Sequence, residues 1–219
     1  MTIREIQTTP TAYHLERDGR PLLLPRVTSV LSIVRGDLAA IPVDVLAHAA
    51  ERGRAVHRAV WLLEAGGDGS GLSWDTLHPE LAPYVRAYQA AKRALRFTVI
   101  EKERLVVSSI FGYAGRADLV VEWERRFGIL DLKTGQEHAS HHLQVSAYLE
   151  GWKEMTGSRK KVHRWKLYLR PTGGYDLDDC KRNRDGTPAP THEADFRSFT
   201  NILGAYRWMQ AHPNGNRRA

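Results

Sequence analysis

Two aspartates and a lysine carry the first chemical hypothesis. Asp118 closes one apolar-flanked run, and thirteen residues later Asp131-Leu132-Lys133 falls inside a second, Phe127 to Leu132. In a strand, alternate residues share a face, so Asp131 and Lys133 point the same way and Leu132 points into the opposite layer. A lone Asp-x-Lys is usually a surface ion pair. Here the neighbours Ile129, Leu130 and Leu132 mark a central strand, where a charge loses its water at a cost unless it is used. The arrangement suits a divalent cation. Mg²⁺ or Mn²⁺ takes oxygen ligands and keeps several waters, so Asp118, Asp131 and the main-chain carbonyl of Leu132 suffice as protein ligands. Lys133 beside them can orient or deprotonate a metal-bound water, or offset charge on a phosphate.

Further groups can join this set. Glu101 and Glu103 open the preceding strand, and pattern alone puts both on one face without separating them. His57 lies at the edge of a helical apolar stripe, where an ordinary boundary histidine is the commoner reading than a metal ligand. Gln144 and Tyr148, four apart on one helix face, can position the lysine, a phosphate or a base. His138, His141 and His142 read as solvated loop histidines rather than a zinc site, because no cysteine or HExxH spacing accompanies them.

The elements that must place these residues follow from periodicity. Residues 11–24 alternate around Asp18-Gly19 as a small hairpin. Val27–Leu31 opens a short helix. A longer helix starts near Pro42 with Asp44 as N-cap. Its stripe runs through Val45, Leu46, Ala49, Gly53, Val56, Val60 and Leu63, and it ends at the glycine-rich run 66–71. A second helix is expected over 79–95. Strands follow over 97–107, 113–123 and 127–133, consecutive and antiparallel, with a charged turn at 124–126. Helical spacing returns over 139–155, a strand over 162–169 and a last helix over 192–211. Residues 213–219 are expected to be a disordered tail. The order predicts an α/β fold, one domain over 1–212, in which a central mixed sheet is flanked by helices and preceded by an N-terminal helical portion.

Composition bounds the partners. The chain has 219 residues, 42% hydrophobic and 26% charged, as expected of a globular domain. One cysteine excludes an internal disulfide framework and a four-cysteine cluster. A reducing, cytoplasmic setting and no leader sequence are expected. A net charge of +7 favours a polyanionic partner. Arg52, Arg54 and Arg58 flank His57 and can line a DNA path. Lys92, Arg93 and Arg96, and Arg159, Lys160, Lys161, Arg164 and Lys166, read as solvated faces. Trp61, Trp74 and Trp165 read as core.

In combination these motifs resemble the PD-(D/E)XK nuclease superfamily, in its RecB-like exonuclease branch. The matching pieces are Gly53-Arg54-Ala55-Val56-His57, Glu103, Gly115-Arg116-Ala117-Asp118, Asp131-Leu132-Lys133-Thr134 and Gln144-Val145-Ser146-Ala147-Tyr148. Val27-Thr28-Ser29-Val30-Leu31 looks like the stretch before the first helix in mitochondrial genome maintenance exonucleases. The resemblance spans about residues 25 to 170. It implies the PD-(D/E)XK core and metal-dependent hydrolysis of DNA. His57 joins Asp118, Asp131 and Leu132 as a ligand, and Glu103 is favoured over Glu101. Lys133, Gln144 and Tyr148 are implied as catalytic, and Arg54, Arg58, Arg116, Thr134, Gln144 and Tyr148 as nucleic-acid contacts. Relatives that hold an iron–sulfur cluster need cysteines this chain lacks. The expected protein is a bacterial or phage exonuclease of recombination, repair or DNA processing. The rivals are a structure-specific or restriction-type endonuclease with the same site, a non-catalytic nucleic-acid-binding module and an RNA nuclease.

Overall fold

Between Ile3 and Pro25 the chain makes three antiparallel strands, β1 (Ile3–Thr8), β2 (Ala12–Arg17) and β3 (Arg20–Pro25). The hairpin around Asp18-Gly19 is present. Both residues have positive φ, 48° and 80°, as a tight two-residue turn between twisted strands requires. Strand β1 adds to that expectation; its exposed, polar pattern gave no strand signal. The computed structural model describes residues 3–36, 40–66, 72–159, 161–183 and 186–213.

Helix α1 (Val27–Leu31) leads, through a 3₁₀ turn at Ser32–Val34, to α2 (Val43–Ala65) and α3 (Ala82–Leu95). Two boundaries differ from expectation. Pro42, not Asp44, is the N-cap of α2, and no side chain caps it; Asp44 sits in the first turn, where its charge complements the helix dipole. Helix α3 starts three residues late, because Pro83 fits the first turn and not the interior. The stripe on α2 is also only half used. Val56, Ala59, Val60 and Leu63 are buried, whereas Val43 and Val45 are exposed. Helix α2 ends at Gly66; the rest of the glycine-rich run, 67–71, lies outside the described residues, as do 214–219 of the expected tail.

The main sheet has the order β4-β5-β6-β7-β8: β4 (Thr98–Ser108), β5 (Tyr113–Trp123), β6 (Arg126–Lys133), β7 (Val162–Leu169) and β8 (Tyr175–Asp178). Neighbours are antiparallel except β6 and β7, which are parallel. A parallel pair needs a crossover, and α4 (Ser140–Thr156) provides it. Helix α5 (His192–Ala211) completes the fold, capped by Thr191 Oγ1, which accepts from the Ala194 amide. Helices α2 and α3 pack on one face, against Leu119, Leu130, Leu132 and Leu167. Helices α1, α4 and α5 pack on the other, against Val106, Val120 and Ile129. The fold is thus the expected mixed sheet between helices. Tyr13, Leu15 and Leu24 of the N-terminal sheet pack on Val107 and Ala114, and an isolated bridge joins Arg26 to Ala114.

Alternating burial along β7 would mark a strand with one face in water. Instead, six successive residues, Arg164 to Leu169, are buried, because both faces of an inner strand are covered. Arg164 and Lys166 are therefore not a solvated face. Arg164 pairs with Asp195 at 2.5 Å and Lys166, 0% exposed, with Asp178 at 2.7 Å. Lys160 lies outside the described residues. Among the described residues no helix is long and apolar enough to cross a membrane.

Candidate metal centre and its cleft

Asp118 sits where the ladders let go. The β4–β5 pairing skips Glu103 and Asp118, and the β5–β6 pairing starts at Leu119–Leu130, just past Asp118 and Asp131. The Asp118 carboxylate fills the gap itself, accepting from the Leu132 amide at 2.7 Å. The skipped partner, Glu103, has φ +48°. That conformation costs a non-glycine residue ~1 kcal/mol or more, and it re-aims the side chain. Glu101 and Glu103 accordingly do not share surroundings, as a regular strand would have them do. Glu101 accepts from Trp152 Nε1 at 3.0 Å and pairs with Arg104. Glu103 joins His57 and Asp118, with one ligating atom of each within 4.8 Å of the others.

His57 bridges the two strands that carry the aspartates. Its Nδ1 is 3.2 Å from Asp118 Oδ1, and its Nε2 is 3.1 Å from the Leu132 carbonyl. Both nitrogens face acceptors, so the ring is held as an imidazolium. Burial pushes its pKa down, but the charge and hydrogen bond of Asp118 more than reverse this and raise it to about 9. Asp118 goes the other way: burial opposes its ionisation, and His57, Lys133 and the Leu132 amide bring its pKa below the ordinary value. Glu103 is raised, by burial first and then by the Asp118 charge.

Asp131 is the most exacting group. It is 0% exposed, and neither carboxylate oxygen has an aligned hydrogen bond. The Lys133 ammonium lies 2.6 Å from Oδ2, close enough for charge but not oriented for a good bond. Burial raises the Asp131 pKa, and Asp118 adds to the rise against the opposing pull of Lys133. His57, Glu103 and Asp118 together have the donor chemistry of a hard divalent cation, and Asp131, buried and paired with Lys133, adds its charge from the next strand.

Lys133 also donates to Gln144 Oε1 at 3.1 Å, and Gln144 Nε2 donates to Tyr148 Oη at 2.9 Å. The Gln144–Tyr148 spacing thus forms a relay behind the lysine. Gly115 makes room for it: a Cβ there would sit 2.4 Å from the Tyr148 ring and 3.2 Å from Val27. Gly115→Ala is expected to lose about 1–3 kcal/mol by overpacking, read as a fall in the denaturant midpoint. An unchanged midpoint would show that the ring has somewhere else to go.

His57, Glu103, Asp118, Gln144 and Tyr148 line a cleft of about 620 Å³ between α2 and the N-terminal sheet; Asp131 and Lys133 are not among its lining residues. Arg54, Arg58 and Arg116 line it. Thr134 does not; it packs near Gly53 and faces a separate cavity with Arg52. The Leu132 side chain is core, and only its carbonyl reaches the site. Glu5, Tyr13, Arg26 and Trp61 also line the cleft, and sequence reasoning missed all four in that role. Trp61 carried a signal: it is one turn from His57, on the same face of α2. It is half-buried, with the Arg58 guanidinium 4.3 Å from its ring centroid. Trp74 is also not core; it is 38% exposed. The histidine cluster is not a solvated loop either. His141 meets the Tyr168 hydroxyl at 3.1 Å, and His142 is buried between Asp178 and Asp195.

A family model for the PD-(D/E)XK nuclease superfamily matches residues 29–212. The chain belongs to the PD-(D/E)XK nuclease superfamily. The match covers the main sheet, α2 to α5 and every group of the candidate centre, and leaves β1 to β3 outside it. Membership points to metal-dependent nuclease activity on nucleic acid, and the His57–Glu103–Asp118 cluster offers a place for the metal. No curated protein matches the chain. Among solved structures it is similar to the crystal structure of SSO0001, at 10% identity over 71% of this chain and 73% of that one. The TM-score of 0.33 is too low to carry an argument.

Proposed function

We propose that this PD-(D/E)XK nuclease is a Mg²⁺- or Mn²⁺-dependent deoxyribonuclease acting on DNA ends or single strands. The observation that carries the reading is the His57–Glu103–Asp118 cluster beside the buried Asp131–Lys133 pair, 2.6 Å apart. His57, Glu103, Asp118, Asp131 and the Leu132 carbonyl would hold the metal. When bound, the cation supplies an acidified water and offsets charge on the phosphate. Lys133, aimed by Gln144 and Tyr148, would hold that water in line, its ammonium offsetting charge that builds on the phosphate. Arg54 and Arg58, exposed at the rim, take flanking phosphates. Trp61 offers a stacking face for an unpaired base. A cleft of about 620 Å³ has the size of a small-ligand pocket.

The test is purified protein with end-labelled single- and double-stranded DNA, linear and circular, in Mg²⁺, Mn²⁺ or EDTA. Mononucleotide or short products from linear strands, and none from closed circles, are expected. Cleavage of closed circles makes it an endonuclease, and cleavage in EDTA removes the metal.

A pH dependence follows from His57. A ligating histidine must be neutral, and this one stays charged up to about pH 9. Mn²⁺ affinity of the DNA-free protein, measured by titration calorimetry, is therefore expected to rise with pH, by up to about tenfold per unit below that value. A proton should be released on binding. An affinity independent of pH would take His57 out of the ligand set.

A further inference from the structure

Arg116 lines the cleft beside the metal groups, and a phosphate contact is the obvious role for it. Its hydrogen bonds point elsewhere. Nη1 donates to the Glu103 main-chain carbonyl at 2.9 Å, and Nε lies 4.0 Å from the Glu103 carboxylate. Nη2 donates to the Glu5 carboxylate on β1. All three guanidinium nitrogens thus face groups of the protein itself.

The Glu103 carbonyl needs such a donor. Glu103 is the strand residue with φ +48°, opposite the gap in the β4–β5 pairing. A left-handed residue persists in a strand only when its surroundings hold it. Arg116 ties down the residue that turns the Glu103 carboxylate toward His57 and Asp118.

Glu5 is in turn held. Its Oε1 accepts from Thr8 Oγ1 at 2.6 Å. Strand β1 is paired to β2, β2 to β3, and Arg26, just past β3, is bridged to Ala114 of β5. Tyr13, 2% exposed on β2, also lies against the Arg116 guanidinium. The N-terminal side of these anchors belongs to residues 3–26, outside the stretch matched by the family model.

We infer that Arg116 is a positioning residue for the metal centre, holding Glu103 in its ligating conformation, and that the N-terminal sheet secures it through Glu5. The inference rests on the metal-dependent reading given above. It makes the three-stranded sheet a working part of the site.

The experiment compares wild type with Glu5→Gln and Arg116→Lys. Three quantities are read for each: Mn²⁺ affinity of the DNA-free protein by calorimetry, DNA affinity in EDTA at several salt concentrations, and the thermal midpoint. Both variants are expected to bind Mn²⁺ about tenfold or more weakly, as loss of support behind a metal ligand does. Their DNA affinity and its salt slope should match wild type. Arg116→Lys keeps the charge but cannot reach Glu103 and Glu5 together. Raising Mn²⁺ should restore the cleavage rate of Glu5→Gln. Unchanged Mn²⁺ affinity overturns the inference, whether or not the midpoint falls. So does a salt slope reduced by about one in Arg116→Lys, the mark of a lost phosphate contact. A wild type that binds no Mn²⁺ sinks the metal reading and this inference together. A wild type that binds it no better than the variants sinks only the inference.

Discussion

Asp118→Asn is expected to lower the cleavage rate by about 10³-fold or more, the scale set by losing several kcal/mol of metal-borne stabilisation. The substitution removes one charge and little else. Asparagine keeps an oxygen for the Leu132 amide, which Asp118 now serves at 2.7 Å. It keeps the volume between β4 and β6. Asp118→Ala is the poorer probe, because it strands that amide and leaves His57 Nδ1 without its acceptor. In the asparagine variant His57 loses the carboxylate that raises its pKa, so its titration by NMR should move down. Single-turnover cleavage and Mn²⁺ calorimetry check the result. Near-normal rates with a normal Mn²⁺ affinity would remove Asp118 from the centre.

Lys133→Met should separate rate from binding. Lys133 touches Asp131 at 2.6 Å and Gln144 at 3.1 Å. A protonated ammonium is no metal ligand, so its work lies on the attacking water or the phosphate. Loss of that positioning and charge is expected to slow single-turnover cleavage by about 10²–10⁴-fold. DNA affinity should stay within a few-fold, and Mn²⁺ affinity should hold or tighten as a nearby positive charge disappears. Without metal the variant should be less stable, because Asp131 is left buried with its pKa already raised and its counter-charge gone. Added Mn²⁺ should recover part of that stability. Lys133→Arg should not restore the rate, since a guanidinium does not give up a proton and has a wider head. A normal single-turnover rate in Lys133→Met would make the lysine structural.

Much of this was open to a reader of the sequence alone. Strands β5 and β6 announce themselves by β-branched and apolar runs broken at Glu124-Arg125, and α5 by its period. Period two alone puts Asp131 and Lys133 on one side and Leu132 on the other. The spacing of Gln144 and Tyr148 puts them one helical turn apart. These are local facts, fixed by backbone geometry within one element, so they survive folding unchanged.

The tertiary structure decided what depends on neighbours far away in the chain. Periodicity gave His57 to an apolar stripe; only the fold sets its two nitrogens against Asp118 and the Leu132 carbonyl. A regular strand gives Glu101 and Glu103 one face; the left-handed turn at Glu103, held through Arg116, sends them to different partners. Arg164 and Lys166 look like surface charges until α4, α5 and β8 cover them and supply Asp195 and Asp178. Strand β1 is polar and mostly exposed, and its Glu5 acquires a role only where β1 to β3 pack beside the cleft. Periodicity reports which way a side chain leaves its own backbone, and burial and ion pairing are set by what the rest of the chain brings to meet it.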